Sequence, residues 1–497
     1  MYLGIDCGTQ GTKVILFDAD RGEVIARAQA PHAIVSESNG RREQKCAWWI
    51  AALRQALHAL FRESGRAARE VAAIGVSGQH HGLVLLDETG TPLRDVKLWN
   101  DTETTPDNER IIADAGGIDG VWRLIGTSLP VGYTASKLSW VRRHEPGLYA
   151  RTRHVLLPHD YINFWLTGEF ATDAGEASGT GYYDVVQRRW SPEMLRIIDP
   201  TGVLAAALPR VCPPLQPLGT VRHEIAAEFS FAPTTLVSCG SGDNVMGAVG
   251  TGTVSPGSAT IGLGTSGVLN VYAERTAPDV FRDVQMFCGL ETDWLATVAT
   301  MNATSSTTAV RQLLGVEVND FDRLLNSAPP GAEGLRMYPF FSGERVPALP
   351  RARGVLRGMS QDNLTPANLL RATAESVVLG LKWGFDRLSP HFGRPNQFCL
   401  TGGGANSAAW RQILADVFDT EVVRVRSDEG GALGAALLAL AVHQNDRHVP
   451  TSLRQVCDQY VSLDYALSAR PNPGNVARYE DLFKGYERAL QTERFDA

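Results

Sequence analysis

The sequence predicts an α/β protein built from two related domains. Its 497 residues exceed the length at which a single hydrophobic core stops growing, so two large domains are expected. Predicted strands alternate with predicted helices in both halves. The segment Ile5–Gly11 is echoed by Ile261–Gly267, about half the chain later, and each is followed by a β-rich run. Two copies of a strand, a Gly-Thr-x-Gly turn and a strand indicate a duplicated domain, which we divide into residues 1–242 and 243–485.

The first half opens with three predicted strands that form an antiparallel meander. These strands are Tyr2–Asp6, Thr12–Asp18 and Glu23–Ala28, with glycine and threonine at the first turn. A helix rich in Trp and Ala is predicted from about Ala47 to Ser64, and a buried strand over Val71–Val76. Polar loops that contain glycine follow the strand ends, and such loops commonly carry functional residues.

The second half repeats the alternation of strands and helices. The predicted elements, in order, are a strand at Val268–Tyr272, a helix at Thr365–Leu388, a strand at Gln397–Thr401, a helix at Ser407–Phe418, a strand at Glu421–Val425 and an alanine-rich helix from Gly430. The apolar stretch from about Gly430 to Val442 is shorter than a membrane span, so it predicts a buried helix and gives no membrane role.

Composition and charge narrow the class of protein. The apolar share of 44% and charged share of 20% are ordinary for a globular protein. A net charge of −7, with no lysine or arginine run longer than a dipeptide, argues against nucleic acid as a partner. The seven cysteines are scattered and none forms C-x-x-C, which argues against a disulfide framework or a cysteine zinc site. With no basic segment and apolar run at the N-terminus, we expect a cytoplasmic protein.

The first glycine-rich turn has the chemistry of a phosphate-binding loop. Its backbone N–H groups and hydroxyls can point into one concavity, as a triphosphate tail requires. Asp6, at the end of the preceding strand, can face the phosphates through Mg²⁺. A Gly-Thr turn is also common without a ligand, and Lys13 can be a solvated strand residue. The second copy of the turn favours the nucleotide interpretation. The predicted nucleotide set here is Gly8, Thr9, Gln10, Thr12 and Lys13, with Gly264, Thr265 and Ser266 in the second copy.

A third glycine-rich segment, Gly402–Gly403–Gly404, ends a predicted strand and is followed by Asn406. Three glycines allow close backbone approach to a flat or anionic group. No Gly-Lys-Ser/Thr follows, so the segment is not a Walker A loop. A tight turn between strand and helix is the alternative.

Asp243 lies between small residues, just ahead of a predicted helix. A carboxylate there can accept a proton from a hydroxyl as its oxygen attacks phosphorus. The alternative role is a helix N-cap, which Asp often fills. The sequence does not separate the two.

Two polar segments of the first half suit a polyhydroxylated ligand. Sugar pockets combine an apolar platform with fixed hydrogen-bond partners. A lone tryptophan or histidine more often packs in a core, and the adjacent histidines have no third ligand at a metal-binding spacing. The segments are Gln79–His80–His81 and Trp99–Asn100–Asp101.

With these segments in order, the chain resembles the FGGY carbohydrate kinases along nearly its whole length. Each motif is weak alone, but the ordered set is specific. The motifs are Gly4-Ile5-Asp6-x-Gly8-Thr9 with Lys13, Gly78-Gln79-x-His81-Gly82, Trp99-Asn100-Asp101, Lys137-Leu138-x-Trp140, Leu157-Pro158-x-Asp160-Tyr161, Gly242-Asp243-Asn244, Gly264-Thr265-Ser266-Gly267, Ser342-Gly343-Glu344-Arg345-x-Pro347 and Thr401-Gly402-Gly403-Gly404-Ala405.

The resemblance implies two ribonuclease-H-like domains of the actin and hexokinase type, with ATP and sugar in the cleft between them. It implies Asp243 as catalytic base, with Asp6 and Asp243 near Mg²⁺. The first domain is then the sugar-binding domain and carries the first phosphate turn, and the second binds the nucleotide. Thr9 and Thr265 would meet phosphates, and the adenosine would lie near Gly403, Gly404 and Asn406. The implied sugar contacts are His80, His81, Trp99, Asn100, Asp101, Asp243 and Asn244.

Within the family, the motifs are most similar to those of the branch that phosphorylates D-xylulose, a ketopentose. Similarity to dimeric relatives makes a homodimer the expected assembly. His80 stands where that branch commonly has Met, and Ala374 stands where a larger apolar residue is usual. Ribulose, another ketose or a polyol such as glycerol therefore remain alternative acceptors. The alternatives from another functional class are an actin-superfamily ATPase that phosphorylates no sugar and a sugar-binding regulator.

Overall fold

The computed structural model describes residues 1–277, 279–427 and 429–495. These residues form two compact units. Unit 1 comprises Met1–Val254, Met286–Leu295 and Glu429–Val461, and unit 2 comprises Ser255–Gln285, Ala296–Asp428 and Ser462–Ala497. The predicted division fell between residues 242 and 243, whereas here unit 1 also includes three later segments. Two of these segments contribute the helices Asp243–Gly250 and Gly430–Asp446, which pack on the unit 1 sheet. The assignment of sugar to one domain and nucleotide to the other stays a prediction.

Strands and helices alternate through the described chain. The strands are β1 Tyr2–Cys7, β2 Gly11–Asp18, β3 Glu23–Pro31, β4 Val35–Ser36, β5 Arg42–Gln44, β6 Ala73–Gly78, β7 Val84–Leu86, β8 Val96–Lys97, β9 His154–Leu156, β10 Ala171–Thr172, β11 Tyr183–Asp184, β12 Arg189–Trp190, β13 Arg210–Val211, β14 Pro217–Thr220, β15 Leu236–Ser238, β16 Ser241–Gly242, β17 Ser258–Leu263, β18 Gly267–Ala273, β19 Gln285–Cys288, β20 Trp294–Thr300, β21 Arg336–Tyr338, β22 Val355–Arg357, β23 Gln397–Thr401, β24 Glu421–Val425 and β25 Leu463–Ala469.

The helices confirm the predicted α/β class. They are α1 Cys46–Ser64, α2 Thr105–Asp114, α3 Ile118–Ile125, α4 Thr134–His144, α5 Pro146–Tyr149, α6 Pro158–Thr167, α7 Ala174–Ser178, α8 Pro192–Ile198, α9 Val203–Ala207, α10 His223–Phe229, α11 Asp243–Gly250, α12 Thr304–Leu313, α13 Phe321–Ser327, α14 Pro366–Phe392, α15 Ala408–Phe418, α16 Gly430–Asp446, α17 Leu453–Tyr460 and α18 Pro473–Thr492. Within the described residues, none of these helices has the length and apolarity needed to cross a bilayer.

Each unit is built on a mixed sheet with the same strand order. The order in unit 1 is β14-β15-β6-β1-β2-β3, and β16 also pairs with β6. The corresponding order in the other sheet is β25-β24-β23-β17-β18-β20, and β19 follows β20 as a seventh strand. β1 pairs antiparallel with β2 and parallel with β6, and β17 does the same with β18 and β23. The repeat found in the sequence therefore marks a duplicated fold.

Both Gly-Thr-x-Gly segments form the tight turn of an antiparallel hairpin. In unit 1 the N–H of Gly8 donates to the carbonyl of Gly11 at 3.0 Å. In unit 2 the N–H of Gly264 donates to the carbonyl of Ser266 at 3.1 Å. A Cβ at Gly11 would lie 2.6 Å from the carbonyl oxygen of Ala30 on β3, so the close strand approach requires glycine there.

The alanine-rich helix α16 is buried along its length and packs directly on the unit 1 sheet. All residues from Ala432 to Val442 are buried. Glycines in β1 and β6 allow the close approach, because a Cβ at Gly4 would lie 1.9 Å from the carbonyl oxygen of Ala432 and one at Gly75 would lie 1.9 Å from that of Ala435. The amphipathic helix α1 packs against β2 and β3 through its apolar side, which includes Trp49. The sheet of unit 1 therefore lies between helices, and its polar strand ends remain free to form a site.

Candidate active site

Asp6 lies at the end of β1, where the sheet register sets it beside two polar residues. It is in register with Lys13 on β2 and Ser77 on β6. The Ser77 hydroxyl donates to Asp6 Oδ1 at 2.8 Å, and Lys13 Nζ lies 2.9 Å from Glu429 Oε2. Burial raises the pKa of Asp6, whereas the Ser77 hydroxyl and Lys13 lower it. The carboxylate is thus held in a fixed orientation close to a cation.

The N-terminus of α16 lies immediately behind Asp6. A Cβ at Gly431 would lie 3.0 Å from Asp6 Cγ and 2.9 Å from Ser77 Oγ. Glycine there lets the first turn of a 17-residue helix approach the carboxylate. Helix N-termini stabilise negative charge, so this edge of the sheet suits an anion or its metal complex.

The turn at Thr9 is locked by a side-chain network that the sequence did not predict. The Thr9 hydroxyl donates to Gln79 Oε1 at 3.0 Å and accepts from Trp99 Nε1 at 2.9 Å. Gln44 Nε2 donates to the Thr9 carbonyl at 2.8 Å, and Gln44 Oε1 accepts from Gln79 Nε2 at 2.9 Å and from Trp49 Nε1 at 2.9 Å. Thr9, which is predicted to contact the nucleotide, is therefore hydrogen-bonded directly to Trp99, which is predicted to contact the sugar.

The other predicted residues of this turn differ in exposure. Gln10 is exposed and Gly8 is half-buried, so both can face a ligand. Thr12 is fully buried, and its hydroxyl lies 2.8 Å from His32 Nε2. It points into the sheet packing because side chains alternate along β2. Thr12 therefore packs within the sheet, and its assignment to the nucleotide set stays a prediction.

Asp243 is the first residue of α11 and follows β16, which pairs with β6. Gly242 occupies the N-cap, so the capping role considered for Asp243 is not the observed geometry. Its side chain is 49% exposed. The protein atoms around the carboxylate displace bulk water and raise its pKa, and Asp6 raises it further, whereas His80 and the N–H of Asn244 lower it. An accessible carboxylate therefore stands near both Asp6 and His80.

His80 is buried beneath Asp243. Its Nε2 lies 3.8 Å from Asp243 Oδ1, and its Nδ1 lies 3.2 Å from Oε2 of the buried Glu176. Burial lowers the pKa of His80 and raises that of Glu176 well above its usual range, so burial favours the neutral form of each group. The ring stacks on Phe287, with centroids 4.9 Å apart. The side chain is only 2% exposed, so its nitrogens are directed mainly to protein carboxylates.

His81 has a left-handed backbone conformation with φ of 67°, which is uncommon for a residue with a side chain. Its Nδ1 lies 2.6 Å from the carbonyl of Gly179, and its ring stacks on Tyr133. Its carbonyl accepts from Lys137 Nζ at 2.7 Å. Burial lowers the pKa of Lys137 to about 7. These contacts hold the turn that places the two histidines.

Trp99, Asn100 and Asp101 follow β8 and lie next to the Thr9 turn. Asp101 is buried, and its Oδ2 accepts from the N–H of Arg42 at 2.9 Å and from Lys97 Nζ at 3.3 Å. Within the described residues, Asn100 Oδ1 and Asp101 Oδ1 have no hydrogen-bond partner. Buried polar atoms are rarely left unpaired, so these two oxygens are suited to accept ligand hydroxyls.

Asp101 also belongs to a cluster of three carboxylates whose oxygens lie within 4.8 Å of one another; the other two are Glu43 and Glu103. Lys97 Nζ lies 3.3 Å from Glu43 and contacts Glu103. Arg41 and Arg94 each lie 2.7 Å from Glu43. Three cations thus balance three carboxylates, and the cluster is a salt-bridge network rather than a cation site.

In unit 2 the second Gly-Thr turn is anchored to the start of α12. The Gly264 carbonyl accepts from the N–H of Thr304 at 3.0 Å and from its hydroxyl at 2.7 Å. The Thr265 carbonyl accepts from the Ser305 hydroxyl at 2.8 Å. Gly264 and Thr265 are exposed and Ser266 is half-buried. The turn is fixed through its carbonyls, which leaves the Thr265 side chain at the surface.

The Gly402–404 segment follows β23, the neighbour of β17, so it lies beside the second turn. A Cβ at Gly402 would lie 2.6 Å from the Leu263 carbonyl oxygen, and one at Gly404 would lie 2.8 Å from Leu263 Cβ. Nothing lies within 4 Å of the corresponding position at Gly403. Gly403 and Asn406 are exposed, whereas Gly404 is buried. Gly402 and Gly404 therefore allow the close packing, and Gly403 presents open backbone.

The structure thus assembles the predicted residues in two groups, one in each unit. Asp6, Thr9, Trp99, His80 and Asp243 surround the strand ends of unit 1. The second turn and the Gly402–404 segment lie side by side in unit 2. Sequence reasoning missed Gln44, Trp49 and Glu176, because each becomes recognisable only through contacts with residues distant in the chain.

Family comparisons agree with this arrangement. The model of the FGGY family of carbohydrate kinases, N-terminal domain, matches residues 1–250, and that of the C-terminal domain matches residues 259–442. A xylulose kinase of Haemophilus influenzae is 41% identical over 98% of this chain and 98% of its own length. A xylulose kinase of Streptomyces rubiginosus is 38% identical over 88% of this chain and 87% of its own length.

Solved structures show the same architecture. The crystal structure of a "xyloylose kinase" from Brucella ovis covers 99% of this chain with 98% of its own, at 29% identity and a TM-score of 0.89. The two-domain fold of actin and hexokinase type implied by the sequence motifs is therefore confirmed. The duplicated sheets, the paired glycine-rich turns and the full-length matches together establish that the chain is an ATP-dependent sugar kinase and belongs to the FGGY family of carbohydrate kinases.

Proposed function

We propose that this kinase transfers the γ-phosphoryl group of ATP to D-xylulose and forms D-xylulose 5-phosphate, with Asp243 as general base. The observation that carries the proposal is the half-exposed carboxylate of Asp243, which lies near Asp6 and directly above the buried pair formed by His80 and Glu176. Full-length similarity to xylulose kinases supports the choice of acceptor.

The proposed chemistry follows from the carboxylate and its surroundings. Asp243 accepts the proton of the sugar O5 hydroxyl while O5 forms a bond to the γ-phosphorus. The bond between that phosphorus and the oxygen bridging to the β-phosphate breaks, and ADP leaves. The unpaired oxygens of Asn100 and Asp101 accept hydrogen bonds from hydroxyls of the sugar, with Trp99 and Asn244 as further proposed sugar contacts.

The carboxyl groups of Asp6 and Asp243 in unit 1 also provide suitable ligands for Mg²⁺. Asp6 raises the pKa of Asp243, so a cation near both carboxylates would relieve their repulsion. Hard carboxylate oxygens are the ligands that Mg²⁺ prefers, and Asp6 is the residue that would hold it, with Asp243 nearby. When bound with ATP, the metal neutralises charge on the transferred phosphoryl group.

The proposed nucleotide contacts in unit 2 are exposed or partly exposed groups. They are Gly264, Thr265, Ser266, Gly403 and Asn406.

ADP release measured against a panel of ketopentoses, ketohexoses and polyols tests the acceptor. D-xylulose should give the highest kcat/KM, with D-ribulose and glycerol lower, and turnover should fall sharply when Mg²⁺ is chelated. Asn100 and Asp101 present buried acceptor oxygens. A site built to bond a hydroxyl discriminates against an analogue that lacks it, as glycerol does, or that directs it differently, as the epimer D-ribulose does. A ketohexose or a polyol ahead of D-xylulose would overturn the xylulose assignment and leave the sugar kinase assignment standing.

A further inference from the structure

We propose that Glu176 is a positioning residue that acts on Asp243 through His80. The proposal rests on the proposed function, because it takes Asp243 as the base. Glu176 does not reach the substrate-facing side of the site, since its side chain is fully buried in α7. Its effect must therefore pass through the residues that it contacts.

The side chains of Glu176, His80 and Asp243 form a series of contacts in which the imidazole lies between two carboxyl groups. Glu176 Oε2 lies 3.2 Å from His80 Nδ1, and His80 Nε2 lies 3.8 Å from Asp243 Oδ1. The two ring nitrogens of His80 thus face different carboxylates. Contact with a buried carboxyl group at one ring nitrogen limits the orientations of the ring and therefore of its other nitrogen.

Packing fixes the ring from its faces as well. Phe287 stacks on His80 at 4.9 Å with an interplanar angle of 28°, and His81 stacks at 5.2 Å with an angle of 26°. The pair also presses against the backbone that leads into Asp243. A Cβ at Gly242 would lie 2.0 Å from His80 Cε1 and 2.3 Å from Glu176 Oε2. Only glycine leaves room for His80 and Glu176 at position 242. Both side chains therefore pack directly against the backbone next to Asp243.

Hydrogen bonds of Asp173 also connect α7 with β16, the strand before Asp243, and they fix the position of Glu176. Asp173 caps α7 by accepting from the N–H groups of Gly175 and Glu176 at 2.7 and 3.1 Å. The same carboxylate accepts from the Ser241 hydroxyl at 2.9 Å. The helix that carries Glu176 therefore cannot shift independently of the strand that precedes Asp243.

Without Glu176, His80 loses the carboxyl group that contacts its Nδ1, so the imidazole beside the half-exposed Asp243 is held less firmly. A general base that is displaced by a fraction of an ångström loses rate without losing ground-state binding. We therefore expect a fall in kcat of about tenfold, with KM values for ATP and sugar changed less than about twofold.

The test compares Glu176→Met, which keeps the volume and removes the polar atoms, with Glu176→Gln, which keeps a group able to bond Nδ1. Glu176→Met should show the loss in kcat, and Glu176→Gln should retain the wild-type value within about threefold. If Glu176→Met does not fold, Glu176→Leu is measured in its place. Asp107→Asn is the matched control, because Asp107 is a buried carboxylate of α2 whose described partners include Ser139 and Arg143 and not His80 or Glu176. It should leave kcat within about twofold of wild type.

A double-mutant cycle with His80→Met tests the route of the effect. If Glu176 acts through His80, Glu176→Met should cause less than about twofold further loss in the His80→Met background. Full kcat in folded Glu176→Met, or the same tenfold loss with His80 absent, would overturn the proposal. Asp243→Asn distinguishes failure of the proposed function from failure of this inference. If Asp243→Asn is active, Asp243 is not the base. If Asp243→Asn is inactive and Glu176→Met is fully active, only the role of Glu176 is contradicted.

Discussion

Replacing Asp243 with asparagine should lower kcat by a factor on the order of 10² or more, because a positioned general base contributes about that much. Asparagine keeps the size and shape of the side chain but cannot accept the hydroxyl proton. The fold should persist, because Gly242 rather than Asp243 occupies the N-cap of α11. ATP binding should also survive, since Asp243 is assigned to the acceptor side of the reaction.

Steady-state kinetics and ATP titration on the same preparation check this expectation. Asp114→Asn is the control, because Asp114 is an exposed residue at the end of α2 and lies outside the site. The control should retain wild-type kcat and KM. A soluble, folded Asp243→Asn variant with kcat within a few-fold of wild type would remove the residue from the mechanism.

Gly434→Ala should destabilise the protein by about 3 kcal/mol or more, because the added methyl group has no space. A Cβ at Gly434 would lie 1.9 Å from the carbonyl oxygen of Met246 on α11 and 2.9 Å from the N–H of Gly250. Both obstacles are backbone atoms of a neighbouring helix, so no rotamer change can relieve the clash. Alanine's higher helix propensity, worth about 1 kcal/mol, does not offset it.

The same helix pair offers a matched control in Gly247→Ala. No atom lies within 4 Å of a Cβ at Gly247, so this substitution should stabilise α11 by about 0.5–1 kcal/mol. Thermal unfolding midpoints should therefore move in opposite directions for the two variants. Equal or higher thermal stability of Gly434→Ala would show that α11 and α16 do not pack as described. Because α11 begins at Asp243, the destabilised variant should also lose activity.

Much of the fold was predictable because the local signals agree with the tertiary structure. The strands predicted at Gln397–Thr401 and Glu421–Val425 have the observed bounds, since each is a short apolar run between turn residues. The repeated Gly-Thr-x-Gly turn predicted two equivalent hairpins, and the shared strand order confirms the duplication. β3 extends to Pro31, beyond the predicted end, because its pairing with β2 continues along that strand.

The site was predictable only where its residues lie in glycine-rich turns or next to strand ends. Asp6, Thr9 and Asp243 have such positions, and the structure brings them to one edge of the unit 1 sheet. Glu176 lies in a five-residue helix with no periodic pattern, and its contact with His80 spans 96 residues of chain. The burial of Thr12 was missed because the alternation of β2 depends on its sheet neighbours. Long-range contacts of this kind leave no local signal in one sequence.

Phosphorus and carbon NMR of the product mixture tests the central claim most directly. Wild-type enzyme with Mg-ATP and ¹³C-labelled D-xylulose should form equal amounts of ADP and a phosphate ester whose phosphorus couples to C5 of the sugar. Asp243→Asn should form this ester at a rate lower by a factor on the order of 10². Release of inorganic phosphate without a sugar ester, or phosphorylation at another carbon, would contradict the account.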